Sequence, residues 1–281
     1  MGFGCNAAGV VGCRIIDSPR ERLIAIVTNS FVPCNGRFPT LIALISMFFV
    51  GTGGGLGRTL GAACILTGVI LLGVLLTFWS SRLLSATVLR GTPSSFTLEL
   101  PPYRRPRLGQ VLVRSVLDRT LFVLGRAVLV AAPAGLLIWV CANVEVQGVS
   151  ILNWCTGFLD PFARLLGLDG AILMAFLLGF PANEIVLPIL LMSYLSAGSL
   201  LELSDLNALR EVLTAHGWTW LTAVCTMLFS LVHWPCSTTC MTIHKESGSW
   251  KWTVLAFLLP TGIGMAVCFL TATAARLLGL A

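Results

Sequence analysis

Long apolar runs separated by short polar ones dominate this chain. Phe38–Gly57, Thr59–Ser81, Ala127–Val144, Val212–His244 and Trp252–Ala275 contain no Asp, Glu, Lys or Arg. Each approaches or exceeds the roughly 20 residues that an α-helix needs to cross a hydrocarbon core. The pattern predicts an all-α, polytopic membrane helix bundle. Composition strengthens that reading. The 281 residues are 56% hydrophobic and 11% charged, with a mean hydropathy of +0.91, against about 25% charged in an ordinary soluble domain. The net charge of +6 comes from basic residues clustered in loops, so it implies orientation in a membrane and no nucleic-acid partner.

The polar intervals predict how the runs are arranged. Met1–Ile16 is apolar, rich in glycine and too short to span. Asp17–Arg22 reads as a polar turn around Pro19, and Leu23–Phe31 leads into a break at VPCNGRFPT. Two spans, near Phe38–Gly53 and Leu60–Ser81, flank GTGGGLGRT. That stretch falls one residue short of a phosphate loop and has Arg58 in place of the lysine, so it reads as a flexible linker. Arg82–Arg119 holds seven arginines against Glu99 and Asp118, which places it on the cytoplasmic side. Within it ELPPYRRPRL is extended, and Val111–Arg126 reads as an interfacial amphipathic helix. Glu145–Asp169 reads as an acidic outer loop. The segment Glu202–Glu211 is also acidic, and it and HKESGSWK fall on the sides their charges favour if Gly170–Gly198 enters the membrane and returns. A re-entrant hairpin is therefore expected there. Trp250 and Trp252 around Lys251 are interfacial anchors.

Within that hairpin lies a costly residue. In LLGFPANEIVLPILLMSYL, Glu184 sits in an apolar run between Pro181 and Pro188. A carboxylate at the bilayer centre costs about 2.5–3.5 kcal/mol on insertion scales, and each proline removes a backbone donor. The same grammar recurs. GFGCN (Gly2–Asn6) matches GFPAN (Gly179–Asn183) as G-F-x-x-N. VPCNGRFPT (Val32–Thr40) matches WPCSTTCMT (Trp234–Thr242) as P-C with threonine six residues after the cysteine. Two repeats, each broken near Asn and again at Pro-Cys, point to a binding site between the breaks. Irregular backbone at membrane depth survives only where protein or a water-filled cavity satisfies it.

The cysteines divide by setting. Cys64, Cys141, Cys225 and Cys268 lie in apolar runs and read as small buried hydrophobes. Cys5, Cys34, Cys236 and Cys240 lie at breaks. Sulfur prefers Fe(II), Zn(II) or Cu(I) over Mg(II) or Ca(II), so Cys5, Cys34 and Cys236 with Glu184 and amide oxygens suit a borderline divalent ion. His233, Cys236 and Cys240 have a spacing that would serve zinc, but Pro235 interrupts any regular helix. His216 and His244 fall near run ends and read as interfacial. No Ser-His-Asp arrangement or membrane-protease motif is present, so no catalysis is expected.

These segments resemble the membrane half of the FeoB family of ferrous iron transporters. The resemblance is carried by GFGCNAAGVVGCR, DSPRERL, VPCNGRFP, LLSATVLRGTPSSFTLELPPYRRPRL, GFPANEIVLP and WPCSTTCMTIHKESGSWKW, in that order. It implies two Gate-type repeats with broken or re-entrant helices, at 1–57 (truncated at its N-terminus) and 146–281, around a central segment at 58–145. It also implies an Fe(II) pathway through Cys5, Cys34 and Cys236, with Asn6, Asn183 and Glu184 from the two Gate motifs. NAAG after Cys5, where Asn-Val-Pro is usual, and Pro133 depart from the family pattern. Family members ordinarily begin with a GTP-binding domain, and the chain has no counterpart to it. The resemblance therefore implies no enzyme activity and no cofactor in this chain, with GTP acting only through a missing or separate domain. The implied setting is the bacterial cytoplasmic (inner) membrane, crossed several times. The implied partners are ferrous iron, the lipid bilayer, a GTP-binding FeoB N-terminal half, small FeoA- or FeoC-like proteins and a second copy of the chain. A Gate-type nucleoside or other solute transporter, and a non-transporting membrane subunit or remnant, stand as alternatives.

Overall fold

The computed structural model describes residues 2–51, 55–91, 109, 113, 122–146, 148–196 and 205–279. The expectations for the Pro-Pro-Tyr-Arg loop and most of the Val111–Arg126 helix fall outside these residues, as do residues 52–54 of the glycine stretch, whose end, Leu56–Thr59, is helical and not a flexible linker. In chain order the helices are α1 (Asn6–Gly12), α2 (Pro19–Thr28), α3 (Phe38–Ile45, widening into a π turn over Ser46–Val50), α4 (Leu56–Ala86) and α5 (Phe122–Asn143). A two-residue strand pair, β1 (Glu145–Val146) and β2 (Val149–Ser150), precedes α6 (Ile151–Leu165), α7 (Gly170–Leu178) and α8 (Val186–Tyr194). The chain ends through α9 (Leu206–Ala215), α10 (Trp220–Val232), α11 (Ser237–Ser247) and α12 (Trp250–Leu277). Among the described residues the protein is all-α apart from that strand pair.

Four stretches among the described residues are long and apolar enough to cross a membrane, and they are of two kinds. Leu56–Ala86 and Trp250–Leu277 have mean hydropathies of 2.4 and 2.1 and are only 6% and 33% buried within the protein. Pro19–Val50 and Trp220–Ser247 each reach only 1.2, yet are 50% and 67% buried. The second kind contains the Pro-Cys breaks. Lipid dissolves the unbroken helices, whereas a helix with freed carbonyls must be wrapped in protein. The hydropathy difference thus sorts outer spans from inner ones.

The inner region is completed by α7 and α8, nine residues each. At 1.5 Å per residue each covers about 14 Å, roughly half a hydrocarbon core. They pack against each other, with a short turn at Asn183–Ile185 leading into α8. α6 meets α7 at 110°. Phe176, Phe229 and Trp234 form an edge-to-face chain in the core, with centroids 5.0 and 5.7 Å apart.

Several expectations are corrected. Glu145–Asp169 is mostly helix, not loop. Its charges are local, with Asp160 and Arg164 paired at 2.6 Å across one turn of α6, and Ser150 caps the helix by accepting from Asn153 N. Asp17–Arg22 is not a turn either. Ser18 Oγ accepts from Glu21 N and Pro19 opens α2, the geometry of a helix start. The Val212–His244 run is divided by a turn at Gly217, whose φ of +84° suits glycine, and again at the Pro-Cys break. Cys225 and Cys268 are buried as expected, but Cys64 is exposed on the lipid-facing α4. His216 and His244 stack on Tyr194 and Trp250 near helix ends.

Small residues set the closest approach of inner and outer helices. A Cβ on Gly264 of α12 would lie 2.5 Å from the Val232 carbonyl oxygen that ends α10. Gly264→Ala therefore forces the two helices apart. It is expected to cost about 1–3 kcal/mol, seen as a lower thermal midpoint in detergent. An unchanged midpoint would mean that this crossing is not tight.

Candidate metal pathway between the helix breaks

The repeat noticed in sequence is reproduced in backbone geometry. Cys5, which precedes α1, has φ −152° and ψ 125°, and its counterpart Ala182 has φ −151° and ψ 122°. Cys34 and Cys236 are likewise extended residues just before a helical turn. Within each repeat a backbone hydrogen bond ties the two breaks together. Asn35 N donates to Gly4 O at 3.3 Å, and Ser237 N donates to Phe180 O at 2.9 Å.

All three predicted cysteines occupy the position that caps a helical turn, and none of these turns has a side-chain hydrogen-bonded cap. A helix N-terminus carries about half a positive charge, which complements a sulfur acting as thiolate. At the fourth break Ala182 takes the capping position, and Glu184 supplies the anionic group two residues later.

The structure brings all six predicted residues to one cavity. Cys5, Asn6, Cys34, Asn183, Glu184 and Cys236 line a space of about 330 Å³ together with Thr238 and Thr239. Cys236 Sγ lies 3.1 Å from both threonine hydroxyls. Asn183 is buried, with its amide between Cys34 Sγ at 3.7 Å and His233 Nε2 at 3.2 Å. Asn6 is also buried, and its amide nitrogen turns to the carbonyls of Val32 and Gly2, at 3.3 and 3.1 Å. Glu184 and Cys5 are exposed. Gly36 lets the chain pass Glu184, since a Cβ there would sit 3.0 Å from Glu184 Cγ.

The donors share a cavity without closing around one point. Among the described residues no three His, Cys, Asp or Glu side chains form a group able to hold a metal ion. The zinc-like spacing of His233, Cys236 and Cys240 is not realised as a cluster. His233 Nδ1 turns to the Phe229 and Ser230 carbonyls, and Cys240 Sγ donates to Pro235 O.

Sequence reasoning missed Arg37. It is 1% exposed, and its Nη1 donates to Ser30 O at 3.0 Å and Leu231 O at 2.7 Å. Its Nη2 donates to His233 O and Trp234 O, each at 3.2 Å. Arg37 belongs to the first Pro-Cys break, and three of its acceptors belong to the second. The guanidinium therefore satisfies carbonyls that the break at Pro235 frees, and it lies within electrostatic reach of Cys34 and Cys236. The available signal was an arginine inside VPCNGRFPT, since an ionisable residue at membrane depth is by default functional or paired.

Comparison with known proteins bears on the whole chain. The family model described as the ferrous iron transport protein B C terminus matches residues 66–118, and the Gate (nucleoside recognition) model matches residues 124–250. The Fe(2+) transporter FeoB of Staphylococcus aureus (strain MSSA476) is 27% identical over 280 residues, covering 96% of this chain and 39% of the relative. The Fe(2+) transporter FeoB of Campylobacter jejuni subsp. jejuni is 25% identical over 291 residues, covering 99% and 46%. A Porphyromonas gingivalis protein described as a fusion of Fe(2+) transport protein A and Fe(2+) transporter FeoB is 25% identical over 318 residues, covering 96% and 36%. The chain thus spans less than half the length of these relatives. No solved structure matches it.

Proposed function

Because this chain belongs to the FeoB family, matching its C-terminal membrane part, we propose that it is the permease portion of a ferrous iron importer in the bacterial cytoplasmic membrane. The observation that carries this reading is the meeting of Cys5, Cys34, Cys236, Asn6, Asn183 and Glu184 in one cavity at the four helix breaks. The substrate is Fe(II), a borderline ion that accepts sulfur and oxygen together. Its donors are spread along the cavity wall, so no single position holds the ion fully. That suits conduction, which needs binding strong enough for entry and weak enough for release. Cys5 and Glu184, being exposed, receive the ion, and Cys34 and Cys236 replace part of its hydration further in. The repeats at 1–57 and 146–281 supply all of the described wall but Val130, which comes from the joining segment 58–145.

This portion works with a GTP-binding FeoB half and small FeoA- or FeoC-like proteins, and two or more copies of the chain can assemble; the fusion relative supports the FeoA-like partner alone. The proposal is tested by labelled Fe(II) uptake in iron-transport-deficient bacteria producing the inserted chain, alone and with a GTP-binding half as a separate protein. Uptake in either culture is expected, and silence in both would overturn it. In the active culture Glu184→Gln should lower uptake by roughly tenfold, equivalent to about 1.4 kcal/mol, with inserted protein unchanged. Loss of the protein itself would assign Glu184 to folding instead.

The match to a nucleoside-recognition model favours a second reading, a nucleoside or other solute transporter. Against it, the described residues lining the cavity include no aromatic ring on which a base could stack. Competition of Fe(II) uptake by nucleosides would favour the second reading.

A further inference from the structure

His233 does not line the cavity, yet it touches a residue that does. Its side chain is enclosed by Phe176, Phe229 and Trp234, with ring centroids 4.9, 6.0 and 5.8 Å away. Nδ1 stands 2.9 Å from Ser230 O and 3.1 Å from Phe229 O. Carbonyl oxygens only accept, so Nδ1 holds the ring proton. A second ring proton would create a cation among apolar rings, beside the Arg37 guanidinium that already occupies the His233 backbone carbonyl. Burying an unpaired charge there is prohibitive. Nε2 is therefore a bare acceptor.

What faces Nε2 is the Asn183 amide, assigned with Oδ1 3.2 Å from Nε2 and with Nδ2 donating to Cys34 Sγ at 3.7 Å. An acceptor needs a donor, and the amide has one on its nitrogen end only. The two amide ends have nearly the same shape, so the hydrogen-bond network decides their placement. Exchanging the two ends puts the nitrogen on His233 and the oxygen in the position that stands 3.7 Å from Cys34 Sγ. We infer that His233 is a positioning residue that locks the Asn183 amide with its oxygen toward Cys34 and the cavity. The break then offers a divalent cation an oxygen and a sulfur side by side. The opposite orientation would aim an N–H group at the ion. The first repeat holds its asparagine differently, with the Asn6 nitrogen on the carbonyls of Val32 and Gly2.

This inference rests on the proposed cation pathway, and two measurements separate their failures. The first uses the full chain in detergent with Co(II) as probe, read by its thiolate-to-cobalt absorption. His233→Leu is expected to weaken Co(II) binding about tenfold. His233→Gln, whose Oε1 can stand where Nε2 stood, should recover most of that loss. In an Asn183→Ala background His233→Leu should add nothing, because residues that act as one unit are not additive. Additive losses, or a glutamine variant as weak as the leucine one, would overturn the positioning role. The second is 15N NMR of labelled histidine without metal, with His233→Gln identifying the signal. A proton on Nδ1 and a bare Nε2 are expected, and a proton on Nε2 would overturn the inference. The expected tautomer without any cobalt–thiolate band would remove the cation pathway and leave the amide orientation standing.

Discussion

Serine at Cys34 or Cys236 is expected to lower Fe(II) uptake by about a hundredfold, equivalent to about 2.8 kcal/mol, without unfolding the protein. Serine keeps the capping position and can hydrogen-bond the Thr238 and Thr239 hydroxyls that surround Cys236 Sγ at 3.1 Å. What it removes is the soft donor that Fe(II) accepts in exchange for water. Both sulfurs are half-buried, whereas Cys5 is exposed. A donor in wide contact with water is more easily replaced by water, so Cys5→Ser should have the smallest effect of the three. The measurement is labelled Fe(II) uptake normalised to inserted protein. Unchanged uptake in all three single variants would remove the sulfur pathway.

Arg37→Leu is expected to destabilise the fold, whatever the ion does. Four backbone carbonyls lose their donor, among them Leu231 O at 2.7 Å. Each buried unsatisfied acceptor costs about 1–3 kcal/mol, while removal of a buried cation relieves several kcal/mol of desolvation. The four acceptors outweigh the one cation, leaving a net loss of a few kcal/mol. Arg37→Lys should fall between, because an ammonium has three donors and no planar fork. Thermal midpoints of the purified variants and their inserted fraction decide the matter. A leucine variant as stable as the parent would show that the carbonyls find other partners.

The parts of this site that announce themselves in sequence are those that break a rule of the bilayer. Glu184 between two prolines, and cysteines set in Pro-Cys, are costly in lipid, and their repetition gave the breaks their correspondence. α6 was hidden because Asp160 and Arg164 neutralise each other across one helical turn, so a helix carried the composition of a loop. Arg37 and His233 were hidden for another reason. Arg37 and His233 Nδ1 are held by backbone carbonyls, which every residue has and no sequence motif marks. A side chain whose role is to satisfy backbone becomes visible only when the freed carbonyls are in view.

Arg37 also has a consequence for how the protein is made. Its acceptors in the second repeat lie 194, 196 and 197 residues further along the chain. At a synthesis rate of about 5–20 residues per second, the guanidinium precedes them by about 10–40 s. During that interval the first repeat holds a charged, broken segment with only Ser30 O, of its four acceptors, already made. Lipid will not take such a segment alone. The segment is therefore expected to stay sheltered by protein until the ribosome delivers the second repeat, so that the two halves settle into the membrane together.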